Sequence, residues 1–407
     1  MNLSREFDLS LLLAAALAIL FGITMIYSAS SPSAVWKSQA TYGVIFLLLA
    51  AAIVYIPDKV LYGVAYPLYG VSILSLLAVL AWGTGESARW LSLGSVSVQP
   101  SEFAKVATVM ALARYLGDCS SEEVARPKQV LAALFVCALP MFLVAEQPDL
   151  GTAMSLGAAL LPMLYWAGMR PLYVFFITAP LLSVAFSFEP LWGEDRTPIV
   201  FAIFIIASSV AIQVMLSRMW VTLSLLAVNL SAGLISVVIW QNFLHSYQRG
   251  RIETLLDPES DPLGKGWNII QSQVAIGSGG LTGVGFLQGK QTKYEFLPEA
   301  HTDFIFSVVG EELGFLGTVV VLSTFLFLIW RAVYVGTIAN NRFFSLMAIG
   351  LASLVAFHVF VNVGMTIGVM PVTGLPLPFL SYGGSSLLTN CVIIGLLLHV
   401  YAHRHEY

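Results

Sequence analysis

Long apolar stretches separated by short polar connectors dominate this chain. A helix that crosses a bilayer needs about 20 consecutive apolar residues. Scanning with that length marks twelve runs, near 9–30, 39–56, 61–82, 102–116, 129–145, 151–168, 172–188, 198–217, 219–243, 304–330, 343–366 and 385–401. The pattern predicts an all-α polytopic membrane protein of about twelve transmembrane helices. The division of 172–243 is the least sharply marked. The alternation breaks at length only once, between residues 244 and 303. That stretch carries Arg249, Arg251, Glu253, Asp257, Glu259, Asp261, Lys265, Lys290, Lys293, Glu295, Glu299, His301 and Asp303 among glycines and aromatics. A connector this long without repeats is functional or disordered, and its apolar content argues against disorder. Residues 1–407 therefore read as a single integral-membrane domain with one large extracytoplasmic loop, 244–303, carrying the site.

Composition agrees with the pattern. The apolar fraction is 58%, charged residues are 10%, and the mean hydropathy is +0.84, a profile no soluble domain of this length has. A net charge of −4 without a basic cluster excludes a nucleic-acid partner. Cys119, Cys137 and Cys391 are too scattered for a disulfide framework or a zinc site. No cleavable signal is evident, because the apolar run after Asp8 is long enough to span and no small-residue cleavage pattern ends it.

Charge bias sets the expected orientation. With the N-terminus in the cytoplasm, ten basic residues of short connectors fall inside (Arg5, Lys59, Arg114, Arg126, Lys128, Arg170, Arg218, Arg331, Arg342, Arg404) and three outside (Lys37, Arg89, Arg196). Both termini are then cytoplasmic. The 244–303 loop faces outward, with RWLSLGSVSVQPSE, EQPDLGT and PVTGLPLPFLSYGG. Each mixes helix-interrupting Pro and Gly with polar groups that hydrocarbon would not tolerate. Their convergence suggests one outward cavity, which suits transport or surface chemistry equally.

Several residues could carry that chemistry. In LLDPESDPLGKGW, Pro258 and Pro262 hold Asp257 and Asp261 out of helical geometry. A carboxylate on a rigid turn beside apolar groups suits general-base work, since desolvation raises its basicity; a plain Asp-Pro turn is the alternative. Glu102 and Lys105 share a helix face, with Ser101 as the expected N-cap. Lys105 could meet a phosphate, or pair with Glu102 or Glu146. Asp149 reads as a local helix cap, and Glu146 as a partner of Lys105 or Arg89. Glu299, His301 and Asp303 could bind a divalent cation or orient a base, or form a metal-free polar pairing. The N–H groups of Ser381 to Ser386 could cradle an anion, or the glycines there could serve close packing. GSGGLTGVG lacks the order of a nucleotide loop and is rejected as one.

The blocks RWLSLGSVSVQPSEFAK, VAEQPDLGTAM, YQRGRIETLLDPESDPLGKGWNIIQSQVAIGSGGLTGVGF, EFLPEAHTDFIFSVVGEELGFLG and NVGMTIGVMPVTGLPLPFLSYGGSS resemble the SEDS proteins (shape, elongation, division and sporulation) in order and over nearly the whole chain. The DPESDP segment and the length look nearer the RodA-like elongation branch than the FtsW-like division branch. The resemblance implies a peptidoglycan glycosyltransferase that polymerises lipid II at the outer face of the bacterial inner membrane. It implies a class B penicillin-binding protein as cross-linking partner, beside other membrane proteins of the elongation complex. It also assigns the catalytic acid to the second aspartate of the DPxxDP segment, Asp261. Substrate-binding candidates within the blocks are Arg89, Trp90, Gln99, Glu102, Lys105, Glu146, Arg249, Arg251, Gln271, Glu299, His301, Asp303, Ser381 and Ser385. The metal requirement stays open, with Mg²⁺ or Mn²⁺ as the candidate divalent cation. The family resembled has ten spans, so the four runs in 151–243 suggest an added pair near 172–217. A lipid II flippase and a non-catalytic scaffold for a cross-linking synthase are the competing readings, although no internal repeat of the kind alternating access often uses is visible.

Overall fold

The computed structural model describes residues 7–30, 33–83, 89–93, 96–193, 195–242, 246–264, 266–294 and 296–405. A helix lies over each apolar run. The first three are α1 (Leu9–Ala29), α2 (Val35–Ile53) and α3 (Asp58–Trp82), followed by a short antiparallel ribbon, β1 (Leu91–Leu93) and β2 (Val96–Val98). Then come α4 (Pro100–Asp118), α5 (Pro127–Ala145), α6 (Leu150–Ala158), α7 (Leu160–Trp166), α8 (Pro171–Phe186), α9 (Glu189–Trp192), α10 (Thr197–Leu216) and α11 (Met219–Asn242). The long polar segment is itself structured, with α12 (Ser246–Leu256), a 3₁₀ turn at Pro258–Ser260, α13 (Trp267–Gly279) and α14 (Lys290–Lys293). The chain ends in α15 (Ile305–Thr337), α16 (Arg342–Thr366) and α17 (Gly384–Ala402).

Local chemistry explains the starts. Proline in the first turn opens α4, α5, α8 and α10, where its missing N–H is no loss. The Asp8 carboxylate caps α1 through the Leu11 N–H. Asp149 caps α6 through the Thr152 N–H at 3.2 Å, as its position predicts. Ser101, by contrast, is not a cap: α4 begins one residue earlier, at Pro100, with Gln99 in the capping position.

Among the described residues, nine helices are long and apolar enough to cross a membrane. Leu150–Trp166 and Pro171–Phe186 are shorter apolar helices. The remaining predicted run, α4, carries Glu102, Lys105, Arg114 and Asp118 and is buried over most of its length. It is an interior helix, which is why its mean hydropathy is low.

The chain divides into two compact units, Met1–Gly168 with Asn268–Tyr407, and Met169–Trp267. The division falls inside the 244–303 segment. In the first unit, α4 packs on α3, α5 and α16, α16 packs on α15, and α17 packs on α2. Lipid tails supply no hydrophobic preference for helix–helix contact, so close approach must come from small residues. Accordingly Gly395 of α17 lies where a Cβ would meet the Ala50 carbonyl oxygen at 2.8 Å. In the second unit α8, α10 and α11 pack pairwise. Gly233 admits the Phe201 ring there, and the Ser187 and Ser236 hydroxyls bond at 2.8 Å.

Candidate functional site

Asp261 sits in the second unit on a turn that closes on itself. The 3₁₀ turn Pro258–Ser260 delivers Asp261 at φ −140° and ψ 70°, and Asp257 before it at φ −141° and ψ 82°. Both aspartates are therefore held outside helical geometry, as the following prolines require. The Asp261 carbonyl accepts the Gly266 N–H at 3.0 Å and the Gly264 N–H at 3.3 Å. Its carboxylate lies directly over Gly264, where an added Cβ would stand 2.4 Å from Oδ2. At Gly266 a Cβ would stand 2.0 Å from the Pro258 carbonyl oxygen. These two glycines let the turn close beneath an exposed acid. Asp261 is exposed, so the desolvation expected from its apolar neighbours is not supplied within this turn. Arg249, on α12, is half-buried with its guanidinium 5.9 Å from the Trp240 ring centre. The Arg251 side chain and Lys265 lie outside the described residues.

The first unit holds a polar core inside its helices. Lys105 Nζ donates to Glu102 Oε1 at 2.8 Å and lies 3.1 Å from His358 Nε2. An ammonium group only donates, so His358 must accept through Nε2. Both side chains of the ion pair are 3% exposed, and His358 is equally buried. Of the two carboxylates considered for Lys105, the structure shows the pair with Glu102. The expected pairing of Glu146 with Lys105 or Arg89 is not found: Glu146 is exposed at the end of α5, and Arg89 donates to the carbonyls of Gln147 and Pro148.

Around this core the polar connecting segments interlock. Gln99 donates to the Asp149 carboxylate at 3.1 Å, and the Gln99 N–H reaches Ser385 Oγ at 3.3 Å. Ser381 is buried and closes its own turn, its hydroxyl accepting the Leu377 N–H at 2.8 Å while its carbonyl accepts from Gln39. His301 is half-buried, with its ring 5.9 Å from Tyr382 and its carbonyl accepting the Tyr382 N–H. Glu299 is exposed and accepts from the Thr302 hydroxyl. The Asp303 carbonyl accepts from Asn362 at 2.9 Å. Trp90 is exposed and Gln271 half-buried. Among the described residues, Glu299, His301 and Asp303 do not form a cluster of metal-ligand geometry; the group that does is elsewhere. An apolar cavity of about 460 Å³ lies along α3, α4 and α17, lined by Leu68, Val71, Phe103, Val106, Met110 and Leu396 among others.

The glycine run 277–285 repairs a broken helix. At Gly314, α15 departs from helical geometry (φ 64°, ψ −161°), which strands backbone groups on both sides. The Phe315 and Leu316 N–H groups take the carbonyls of Gly280 and Leu281, and the carbonyls of Glu311 and Glu312 take the N–H groups of Val284 and Gly285. Non-helical backbone in a membrane protein survives only where protein satisfies it. A Cβ at Gly283, where φ is +82°, would meet the Glu312 carbonyl at 2.0 Å. This explains the run without any nucleotide.

Sequence reasoning passed over His358 and Asn362. The signal for His358 was present, since an ionisable side chain inside an apolar run is by default functional. Its partner was not legible, because Lys105 lies 253 positions away.

Comparison with known proteins follows the same lines. The cell cycle protein family of FtsW, RodA and SpoVE matches residues 8–193 and 197–406. That match covers 172–193 and 197–217, so all but 194–196 of the expected added pair lies within it. The peptidoglycan glycosyltransferase MrdB of Escherichia coli K12 is 37% identical over 370 residues, covering 90% of this chain and 84% of that protein. The peptidoglycan glycosyltransferase RodA of Treponema pallidum is 38% identical over 338 residues, 77% of each chain. Among solved structures, a chain from a peptidoglycan synthase complex, described as coordinating polymerization and crosslinking, superposes with a TM-score of 0.74 at 29% identity over 98% of this chain and 99% of that one. RodA of Thermus thermophilus gives 0.65 at 25% identity, with 98% of each chain covered.

Proposed function

We propose that this chain, which belongs to the FtsW, RodA and SpoVE family of cell cycle proteins, is a peptidoglycan glycosyltransferase that polymerises lipid II for cell elongation. The observation that carries the reading is an exposed carboxylate, Asp261, fixed on a self-closed turn in a multi-pass membrane protein whose relatives are peptidoglycan glycosyltransferases. The reaction joins two lipid-linked disaccharide-pentapeptides, one of them the growing strand. Asp261 takes the proton from the acceptor 4-hydroxyl as that oxygen bonds to the anomeric carbon of the donor. The bond from that carbon to the diphosphate breaks in the same step. A single displacement turns an α-linked diphosphate into a β-linked product. The departing undecaprenyl diphosphate gathers negative charge, which a positioned cation stabilises. Arg249 and Arg251, on the helix that leads into the Asp261 turn, are our candidates. The apolar cavity along α3, α4 and α17 has the size and lining for part of a polyprenyl chain.

The protein works in the bacterial inner membrane with both termini in the cytoplasm and the Asp261 turn outside. A class B penicillin-binding protein cross-links the strand it makes, in keeping with the synthase complex that superposes on this chain. Purified protein with that partner, given lipid II in detergent, should make polymer, which flipping cannot produce without a membrane. General-base assistance is worth about 10²–10⁴-fold, so Asp261→Asn should lose that much activity and keep its fold. Normal polymerisation by Asp261→Asn would remove Asp261 from the chemistry.

A further inference from the structure

Outside the region assigned to polymerisation, three ligating side chains meet at the ends of α3 and α17. Asp58 stands in the first turn of α3, His399 in the last turn of α17, and His403 one turn further along. One ligand atom from each lies within 4.8 Å of the other two. His399 is fully buried, and the Asp58 side chain is 27% exposed.

Both ring nitrogens of His399 face oxygen acceptors. His399 Nδ1 faces the Val54 carbonyl at 3.3 Å. A carbonyl only accepts, so a neutral ring that gives its hydrogen to Val54 from Nδ1 keeps its lone pair on Nε2, whereas an imidazolium carries a hydrogen on both nitrogens. Nε2 stands 2.8 Å from Asp58 Oδ1, which also only accepts when ionised. Two acceptors at this distance repel unless a proton or a metal ion lies between them. His403 Nδ1 faces the His399 carbonyl at 3.0 Å, which favours the same tautomer. Histidine ligands characteristically give their other N–H to a carbonyl or carboxylate, and Nδ1 of both imidazoles here faces a carbonyl. The remaining carboxylate oxygen of Asp58 accepts from Asn340 Nδ2 at 3.4 Å, and the Phe344 ring stands 5.3 Å from His399. The cluster thus has its outer partners already in place.

We propose that Asp58, His399 and His403 form a binding site for a divalent transition ion of the zinc class, clamping the C-terminal helix to the start of α3. Two imidazoles and a carboxylate are a ligand set such ions take, with water completing the tetrahedron. Ligand atoms on zinc stand about 3.3 Å apart at its usual bond lengths. The 2.8 Å contact opens by about half an ångström to admit the ion, and the His403 ring, stacked on His399 at 4.2 Å between centroids, turns to bring its nitrogen to that spacing. The ion would replace a proton between His399 and Asp58, so binding releases that proton wherever one was held.

The test uses tag-free, full-length protein in detergent, stripped with chelator and dialysed against Zn²⁺ and, separately, Co²⁺. The wild type should retain a single zinc ion per chain and give the intense visible absorption of tetrahedral cobalt. Asp58→Asn and His403→Gln, which change partly exposed side chains, should weaken binding by more than about tenfold, the loss that even outer-sphere partners cause. His405→Ala, at an exposed position two residues on, should bind as the wild type does. Zinc should also raise the thermal midpoint of the wild type and not of His403→Gln. Equal zinc retention by the wild type and His403→Gln, or a weak octahedral cobalt spectrum, would overturn the proposal and leave an ordinary imidazole–carboxylate hydrogen bond around a proton.

Discussion

Replacing Lys105 by methionine keeps the length of the side chain and removes its charge, which isolates what the ammonium does inside the bundle. In the wild type, Nζ bonds Glu102 Oε1 at 2.8 Å and sits 3.1 Å from His358 Nε2. Lys105→Met strands a carboxylate that is 3% exposed and whose Oε2 already has no partner among the described residues. Removing one member of a buried pair costs about 3–5 kcal/mol, because the other charge stays buried without compensation. His358 simultaneously loses the donor to Nε2, which adds about 1–3 kcal/mol if no water replaces it. At 1.36 kcal/mol per decade, the first term alone shifts the folding equilibrium by about two to nearly four orders of magnitude. The double variant Glu102→Gln/Lys105→Met leaves no net charge behind. Buried pairs replaced as a unit are often neutral, so it should recover most of the loss. The assay is a double-variant cycle by thermal unfolding in detergent, followed by tryptophan fluorescence. A double variant as unstable as the sum of the two single variants would refute the argument, since it would mean the two charges act independently.

Other outcomes follow from single contacts. Gly264→Ala places a methyl against the Asp261 carboxylate at a position with ordinary φ, so stability should hold while polymerisation falls, by up to about 10² for a displacement near 1 Å; unchanged turnover would show that the carboxylate position is not critical. Gly283→Ala combines a left-handed φ of +82° with a backbone clash at 2.0 Å, and should lower stability by more than about 2 kcal/mol, read as reduced yield and thermal midpoint. Asp149→Ala removes the cap of α6 and the partner of Gln99, and should cost about 0.5–2 kcal/mol in the same unfolding assay.

The helices of this protein are written in local composition. An apolar run surrounded by lipid has no alternative to internal hydrogen bonding, so α1 to α3 and α15 to α17 follow from residue type alone. The same holds for the Asp261 turn, where two prolines and two glycines a few positions apart dictate a conformation without help from elsewhere. The conformation of the Asp261 turn was therefore legible from the sequence, together with the five blocks that resemble the SEDS family.

Pairings between distant helices were not legible. Sequence spacing pairs Lys105 with Glu102, three positions before it, but gives no hint of His358, which reaches Nζ only because α16 packs on α4. It likewise excludes a nucleotide loop at the glycine run without giving the run a role, whereas packing turns that run into the missing half of the hydrogen bonding around Gly314. Asp58 and His399 meet across 341 positions for the same reason. Residue type determined that segments cross a membrane and where they break, because those outcomes depend on nearest neighbours in the chain. Packing decided which buried charges share a partner, since burial makes an unpaired charge costly but leaves its partner's identity to the geometry of the bundle.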